Sequence, residues 1–252
     1  MIEMYVGMFS GGWAIDGHTQ AWSVHEDPVA ALESWAAVIE RQRSSRWRKA
    51  GVTLWLSGGL ARPFLCGPVA GLASWGEADA MASAMALEAT GFDGPCQVRL
   101  EDWPGDAVAL CTAVDAAVVD AIFDIARRRR LVWSSVRPRW AGLLNEVLAQ
   151  QPTVGLVACD EEDALTILGG AARTGGETTE AFELATTLSP APVADRLTAL
   201  WNRTMLSRDV RPEDVWFARL AIVNSEPSQA GVLENSRVPW PDVVRQGEVV
   251  SP

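Results

Sequence analysis

One tyrosine, two histidines and four cysteines among 252 residues leave little of the side-chain chemistry on which enzyme sites are commonly built. Cys66, Cys96, Cys111 and Cys159 stand 30, 15 and 48 positions apart. None forms the close pair that a structural zinc site needs, so buried free thiols are expected. His18 and His25 are separated by seven and do not share a strand face, so the pattern gives no metal centre. Basic residues are also short: 21 Lys and Arg face 32 Asp and Glu, a net charge of −11. A surface of that sign cannot displace counterions from phosphates, which argues against nucleic acid as a partner. Long apolar runs are missing too. Stretches such as Ala107–Leu110 fall far short of the roughly 20 residues that cross a bilayer, so no direct membrane span is expected. Glu3 and the lack of a basic flank ahead of a hydrophobic region give no secretory signal, and the chain reads as cytoplasmic.

What the chain does have is apolar residues, 48% of the total, enough for one large domain or two small ones. Tyr5–Phe9 reads as a strand. Trp13–Ile15 and Ala21–Val24 read as a hairpin whose Asp16-Gly17 supplies the positive φ of a tight turn. Asp27 caps a helix that opens on Pro28, carries Leu32, Trp35 and Ile39 at helical spacing, and runs to about Arg46. Val52–Leu56 is a strand, Ser57-Gly58-Gly59 a turn, and Leu60–Cys66 its partner strand, marked by Pro63 as an edge or a bulge. Ser74 and Glu77 are in capping-box register before a helix carrying Met81, Ala84, Met85 and Ala89, which Gly91 stops. Cys96–Leu100 alternates as a strand. Val108–Val114 is a second strand with a bulky side and a small side, the latter fit to receive a helix packed close. Asp115 caps a helix with a broad apolar stripe from Val118 to Ala126, and Arg127–Arg130 suits the negative end of its dipole. This is a compact βαββα module over about residues 52–130.

Leu131–Val136 is a further strand and Pro138 opens a helix with Trp140, Leu143, Leu144, Val147 and Leu148 on its buried face. Gln150-Gln151-Pro152 then breaks the pattern. The division expected is a first lobe over 1–150 containing the module, a second and smaller lobe over 151–223, and a loosely ordered, proline-marked tail over 224–252. In the second lobe Thr153–Cys159 and Ala164–Leu168 form a hairpin, Phe182–Leu188 fits strand or helix, a helix carries Val193, Leu197, Leu200 and Trp201, and Val215–Val223 is a strand. No internal repeat shows at the periods typical of solenoids.

Candidate chemistry is sparse. Ser10, Gly11 and Gly12 follow the first strand in a glycine-rich stretch whose amides, in one reading, touch a phosphate, but they lead into a strand and not a helix N-terminus, and a plain turn is favoured. Asp160, Glu161, Glu162 and Asp163 pack four carboxylates together, yet consecutive residues point apart and no calcium-loop spacing accompanies them, so a solvated hairpin tip is expected. Glu101, Asp102 and Asp106 flank another turn. Of the twelve tryptophans, Trp35, Trp55, Trp140 and Trp201 lie on apolar stripes or within strands and read as core, while Trp47, Trp75, Trp103 and Trp240, in polar or turn-like settings, read as interface candidates.

With these elements in order, the chain resembles the cytoplasmic actin-like domains of type IV pilus and type II secretion assembly proteins, the PilM and GspL group. The stretches that carry the resemblance are Trp55-Leu56-Ser57-Gly58-Gly59-Leu60-Ala61-Arg62-Pro63-Phe64, the βαββα run to Arg130, and Val136-Arg137-Pro138-Arg139-Trp140. It covers roughly residues 1–170. It implies an α/β fold of mixed sheets: actin-like, ribonuclease H-like lobes with an inserted ferredoxin-like module. It also implies other proteins of an assembly machine as partners. Actin-like ATPases carry Asp-x-Gly turns at the two phosphate loops, and here those places read Ser10-Gly11-Gly12 and Asp160-Glu161-Glu162. The expectation is therefore a pseudo-ATPase: a non-catalytic scaffold with no catalytic residue and no cofactor. The alternatives are an actin-like protein or kinase relative that binds ATP with Mg at Ser10, Gly11 and Gly12, and a stand-alone α/β enzyme.

Overall fold

A computed structural model of the chain describes residues 2–16, 18–42, 51–67, 74–100, 108–150, 156–161, 163–170, 182–188, 215–221 and 234–237. The chain begins with β1 (Ile2–Val6), β2 (Ser10–Ile15), β3 (His18–Val24), α1 (Pro28–Gln42) and β4 (Val52–Leu56). Next come β5 (Ala61–Cys66), α2 (Trp75–Thr90), β6 (Cys96–Leu100), β7 (Ala109–Asp115), α3 (Ala116–Arg129), β8 (Trp133–Pro138) and α4 (Arg139–Gln150). Then follow β9 (Leu156–Asp160), β10 (Leu165–Gly170), β11 (Phe182–Leu188), β12 (Val215–Ala221) and β13 (Glu234–Arg237).

Two five-stranded sheets share one plan. The first runs β3-β2-β1-β4-β8 and the second β11-β10-β9-β12-β13. In each, a three-strand antiparallel meander is followed by a strand parallel to the meander's first member, β4 beside β1 and β12 beside β9. The sheets differ at the last strand: β8 is parallel to β4, whereas β13 is antiparallel to β12. The lobes thus repeat a topology without repeating a sequence period. β13 falls within the stretch expected to be loosely ordered.

The turn between β2 and β3 forms where expected. Asp16 takes φ 48° between the paired residues Ile15 and His18, a left-handed turn conformation that Asp tolerates better than most residues. β1 and β4 lie in the middle of the sheet, and Met4, Val6, Val52 and Leu54 are fully buried. Over them α1 lays Leu32, Trp35, Ala36 and Ile39 beside Ile122 and Ile125 of α3 and Leu131. Each of the leucines and isoleucines among them contributes about 1.5–3 kcal/mol by leaving water. Asp27 Oδ1 caps α1 by accepting from Val29 N at 2.8 Å. The arginine run at the end of α3 reaches back to α1: Arg128 and Arg129 meet Glu33 at 3.1 and 2.6 Å, and Arg129 meets Glu40 at 3.3 Å.

The expected hairpin between Val52–Leu56 and Leu60–Cys66 does not form. β4 is the parallel partner of both β1 and β8, and β5 crosses into a separate sheet of order β5-β7-β6. The tight turn at Ser57–Leu60, with Ala61 N bonded to Ser57 O at 2.8 Å, sends the chain out of the first sheet before it can fold back. Pro63 does sit on an edge strand, where its missing N–H leaves the sheet intact. The small side of β7, Ala109, Cys111 and Ala113, receives α2 through Ala82 and Ala86, as the alternation implied. The face of α2 is rotated from the one read in the sequence: Ala78, Ala82 and Ala86 are buried, while Ala84 and Ala89 are exposed. Its ends are as expected, with Ser74 Oγ accepting from Glu77 N at 3.3 Å and Gly91 at φ 69°.

α4 joins the parts. Trp140 is fully buried, donates from Nε1 to Ala61 O at 2.7 Å, and packs with Leu143 and Leu144 against Leu110 of β7 and Val157, Cys159 and Leu168 of the second sheet. This places the turn between β9 and β10 against the ends of β1 and β4.

Candidate functional site

β1 and β4 run side by side and end together, so the loops that follow them, Gly7–Phe9 and Ser57–Leu60, are neighbours. Ser57 N donates to Val6 O at 3.0 Å, and Gly7 N closes its own loop onto Ser10 O at 2.8 Å. In open α/β sheets the crevice beyond the carboxyl ends of parallel strands is where backbone amides meet ligands.

Here that crevice holds side chains from the second lobe. The turn from β9 to β10 is pinned by paired bonds between Glu161 and Ala164, N to O at 2.8 and 3.3 Å, and it drives two carboxylates into the first lobe. Glu161 Oε1 accepts from the Tyr5 hydroxyl at 2.9 Å, and its Oε2 accepts from Gly58 N at 2.8 Å. Asp163 Oδ2 accepts from Met8 N at 2.6 Å and from the Ser57 hydroxyl at 2.5 Å. Tyr5, Ser57, Glu161 and Asp163 are 3%, 0%, 2% and 1% exposed. The expected solvated tip is therefore corrected at these two residues. Both turn into the other lobe and not into water. Glu162 lies outside the described residues.

The glycines of the Ser57-Gly58-Gly59 turn are explained by the same contact. A Cβ on Gly58 would overlap Thr166 Oγ1 and stand 3.1 Å from Glu161 Oε2, and one on Gly59 would stand 2.9 Å from Asp163 Oδ2. Side chains there would hold the lobes apart.

Burial sets the electrostatics. The Glu161 carboxyl is pushed up to about 8, first by loss of water and then by the charge of Asp163, against the Gly58 and Tyr5 hydrogen bonds and Arg139, which favour its ionised form. The Tyr5 hydroxyl is held well above its ordinary range by burial and then by Glu161. Asp163 Oδ1 is buried without a hydrogen-bond partner.

Ser10, Gly11 and Gly12, read as a turn, lie inside β2, with Gly11 paired to Val6 and Ser23, and Gly12 to Tyr5 and Trp22. They allow close approach: a Cβ on Gly11 would stand 2.6 Å from the Trp35 ring. The turn itself is Gly7–Phe9, because β1 starts three residues earlier than the apolar pattern suggested. Trp75, at the start of α2, is 57% exposed. Trp47, Trp103 and Trp240, and the acids Glu101, Asp102 and Asp106, lie outside the described residues. Among the described residues no group of three His, Cys, Asp or Glu is placed to hold a metal ion, and no helix is long and apolar enough to cross a membrane.

A second feature lies on the far side of β8. A cleft of about 540 Å³ opens between β8, α3, α4 and the sheet of β6 and β7. Val114, Phe123 and Val136 supply its apolar surface, with Arg99, Arg137 and Asn145 among them, and no carboxylate among the described residues lines it.

No protein-family model matches the chain, and no curated protein matches it in sequence. Among solved structures it aligns with a Bacteroides thetaiotaomicron protein of unknown function that has an actin-like ATPase fold. The TM-score is 0.55 at 8% identity, over 90% of this chain and 84% of that one. The paired sheets and their meeting loops thus define an actin-like ATPase fold. The chain is also similar to the cytoplasmic domain of EpsL, an inner membrane component of the Vibrio cholerae type II secretion system, with a TM-score of 0.49 at 14% identity over 97% and 92% of the two chains. A further neighbour is the PilM–PilN type IV pilus biogenesis complex, with a TM-score of 0.48 at 14% identity over 83% of this chain and 66% of that one.

Proposed function

We propose that this protein is a non-catalytic, cytoplasmic interaction protein of a pilus or secretion assembly machine, an actin-like shell whose nucleotide crevice is closed by its own side chains. One observation carries the reading: the amides of Met8 and Gly58, in the loops beyond the ends of the parallel strands β1 and β4, already donate to Asp163 and Glu161. A phosphate entering the crevice would have to displace both carboxylates and then stand beside them. Like charges about 4 Å apart repel by about 4 kcal/mol at an effective dielectric of 20. The cleft beside β8 supports a binding role, because it joins apolar surface to two arginines in a chain of net charge −11.

A second reading, an actin-like protein that binds ATP with Mg, has the unpartnered Asp163 Oδ1 in its favour as a metal-facing oxygen. Thermal unfolding with and without Mg-ATP separates the two. Nucleotide at a hundred times its dissociation constant adds about 2.7 kcal/mol to stability. The scaffold reading expects no shift, and a concentration-dependent rise in Tm would overturn it.

A further inference from the structure

We propose that the contact between the lobes is a proton-controlled latch, in which Glu161, held by Tyr5 and Gly58, keeps the second lobe seated while it carries a proton and loosens it on ionising. The proposal rests on the fold and on these contacts, and stands whether or not a nucleotide ever binds.

The hydrogen bonds from Tyr5, Met8, Ser57 and Gly58 to the β9–β10 turn run from the first lobe to the second. The two carboxylates are not equivalent. Asp163 concentrates two donors, an amide and a hydroxyl, on one oxygen and leaves the other without a partner. Glu161 has one amide and the Tyr5 hydroxyl, and a hydroxyl can donate to a carboxylate or turn to accept from a carboxylic acid. Glu161 can therefore take up a proton without losing its partner. When both residues are ionised, two charges share a site closed to water, and Asp163 Oδ1 meets no donor there.

The surrounding charges do not cancel that cost. Tyr5 faces Glu161 from β1, Asp163 faces it from its own turn, and Arg139 acts on it from the start of α4. Cys159 of β9 acts on Tyr5, while Arg62 of β5 and His25 beyond β3 both sense Asp163. Arg62 directs its hydrogen bonds elsewhere, to Gly59 O at 3.1 Å and Thr90 O at 2.7 Å. Burial and Asp163 outweigh Arg139, so the seated Glu161 keeps its proton up to about pH 8, whereas a solvated Glu161 releases it in the ordinary carboxylate range. The seated form therefore binds one more proton than the released form across that window. Its advantage is complete at the acid end and falls as pH rises towards 8, with opening favoured up to tenfold per pH unit.

Native-state hydrogen exchange of the Met8 and Gly58 amides from pH 6 to 8, corrected for intrinsic base catalysis, tests this directly. The Leu54 amide, deep in the first sheet, serves as the marker of global unfolding. In the wild type the opening constants at Met8 and Gly58 should exceed that at Leu54 throughout and rise by up to tenfold per pH unit. In Glu161→Gln, which mimics the protonated state, the rise should vanish. Flat opening constants in the wild type, an unchanged slope in the variant, or opening at Met8 and Gly58 no more frequent than the global unfolding read at Leu54 would each overturn the latch. If the variant does not fold, the wild-type opening constants at the three amides decide alone.

Discussion

Removing a single oxygen, by Tyr5→Phe, tests whether the lobes are joined as described. The ring stays, with its buried place in β1 and its stacking on Trp22 at 5.5 Å, so packing is nearly unchanged. What goes is the donor to Glu161 Oε1, 2.9 Å away in a site where the acceptor is 2% exposed. An acceptor stranded in this way costs about 1–3 kcal/mol, more than the net worth of an ordinary hydrogen bond, because it cannot turn to water. For a chain of this size, about 2 kcal/mol corresponds to roughly 4–8 °C in Tm. The loss should also grow with pH. The Tyr5 hydroxyl favours the ionised form of Glu161, so its removal raises that group further and penalises the carboxylate more than the acid. Urea unfolding followed by tryptophan fluorescence at pH 6 and pH 8.5 measures both effects. A variant within about 0.3 kcal/mol of wild type at both pH values would refute the reasoning, since surface changes alone stay inside such limits.

Gly58→Ala should weaken the seating of the lobes by more than 1 kcal/mol, because its Cβ would overlap Thr166 Oγ1 and overpacking of a closed site costs about 1–3 kcal/mol; limited proteolysis and Tm measure it. Asp115→Ala removes the cap on α3, where Oδ1 accepts from Ala117 N at 2.7 Å, and should cost about 1 kcal/mol by denaturant unfolding. Arg129→Ala should shift the urea midpoint only slightly at low salt and not measurably in high salt, because its pairs with Glu33 and Glu40 lie near the surface. Glu161→Gln should gain stability on wild type steadily from pH 5 to 8, since the unfolded carboxyl is ionised over that span while the seated one, raised to about 8, must hold its proton, and the amide has none to lose; paired Tm measurements check the sign.

Local signals were read from the sequence more faithfully than distant ones. The turn between β2 and β3, the caps at Asp27, Ser74 and Asp115, the stop at Gly91 and the small face of β7 all depend on residues a few positions apart. The duplicated sheet order was not legible, because strand order leaves no repeat in side-chain type. The partner of β4 was misread for a related reason: a turn with two glycines looks the same whether the chain folds back or leaves for another sheet, and only pairing with β8, eighty residues on, decides. Glu161 and Asp163 were hidden for a third reason. Four acids in a row look like a solvated tip, and nothing local shows that Tyr5, Met8, Ser57 and Gly58 wait with their donors. One clue was present in Tyr5, a lone tyrosine in an apolar strand, whose hydroxyl needs a partner once buried. Ser10, Gly11 and Gly12 misled in the opposite direction, since glycine that admits Trp35 and a neighbouring strand looks like glycine that admits a phosphate.

The account turns on whether the first lobe's loop amides are engaged by the second lobe's carboxylates strongly enough to shut out a phosphate. Titrating Mg-ATP into isotopically labelled protein while following the Met8 and Gly58 amide resonances by NMR addresses those two donors themselves. The account predicts resonances that stay in place up to millimolar nucleotide; saturable movement of both would contradict it.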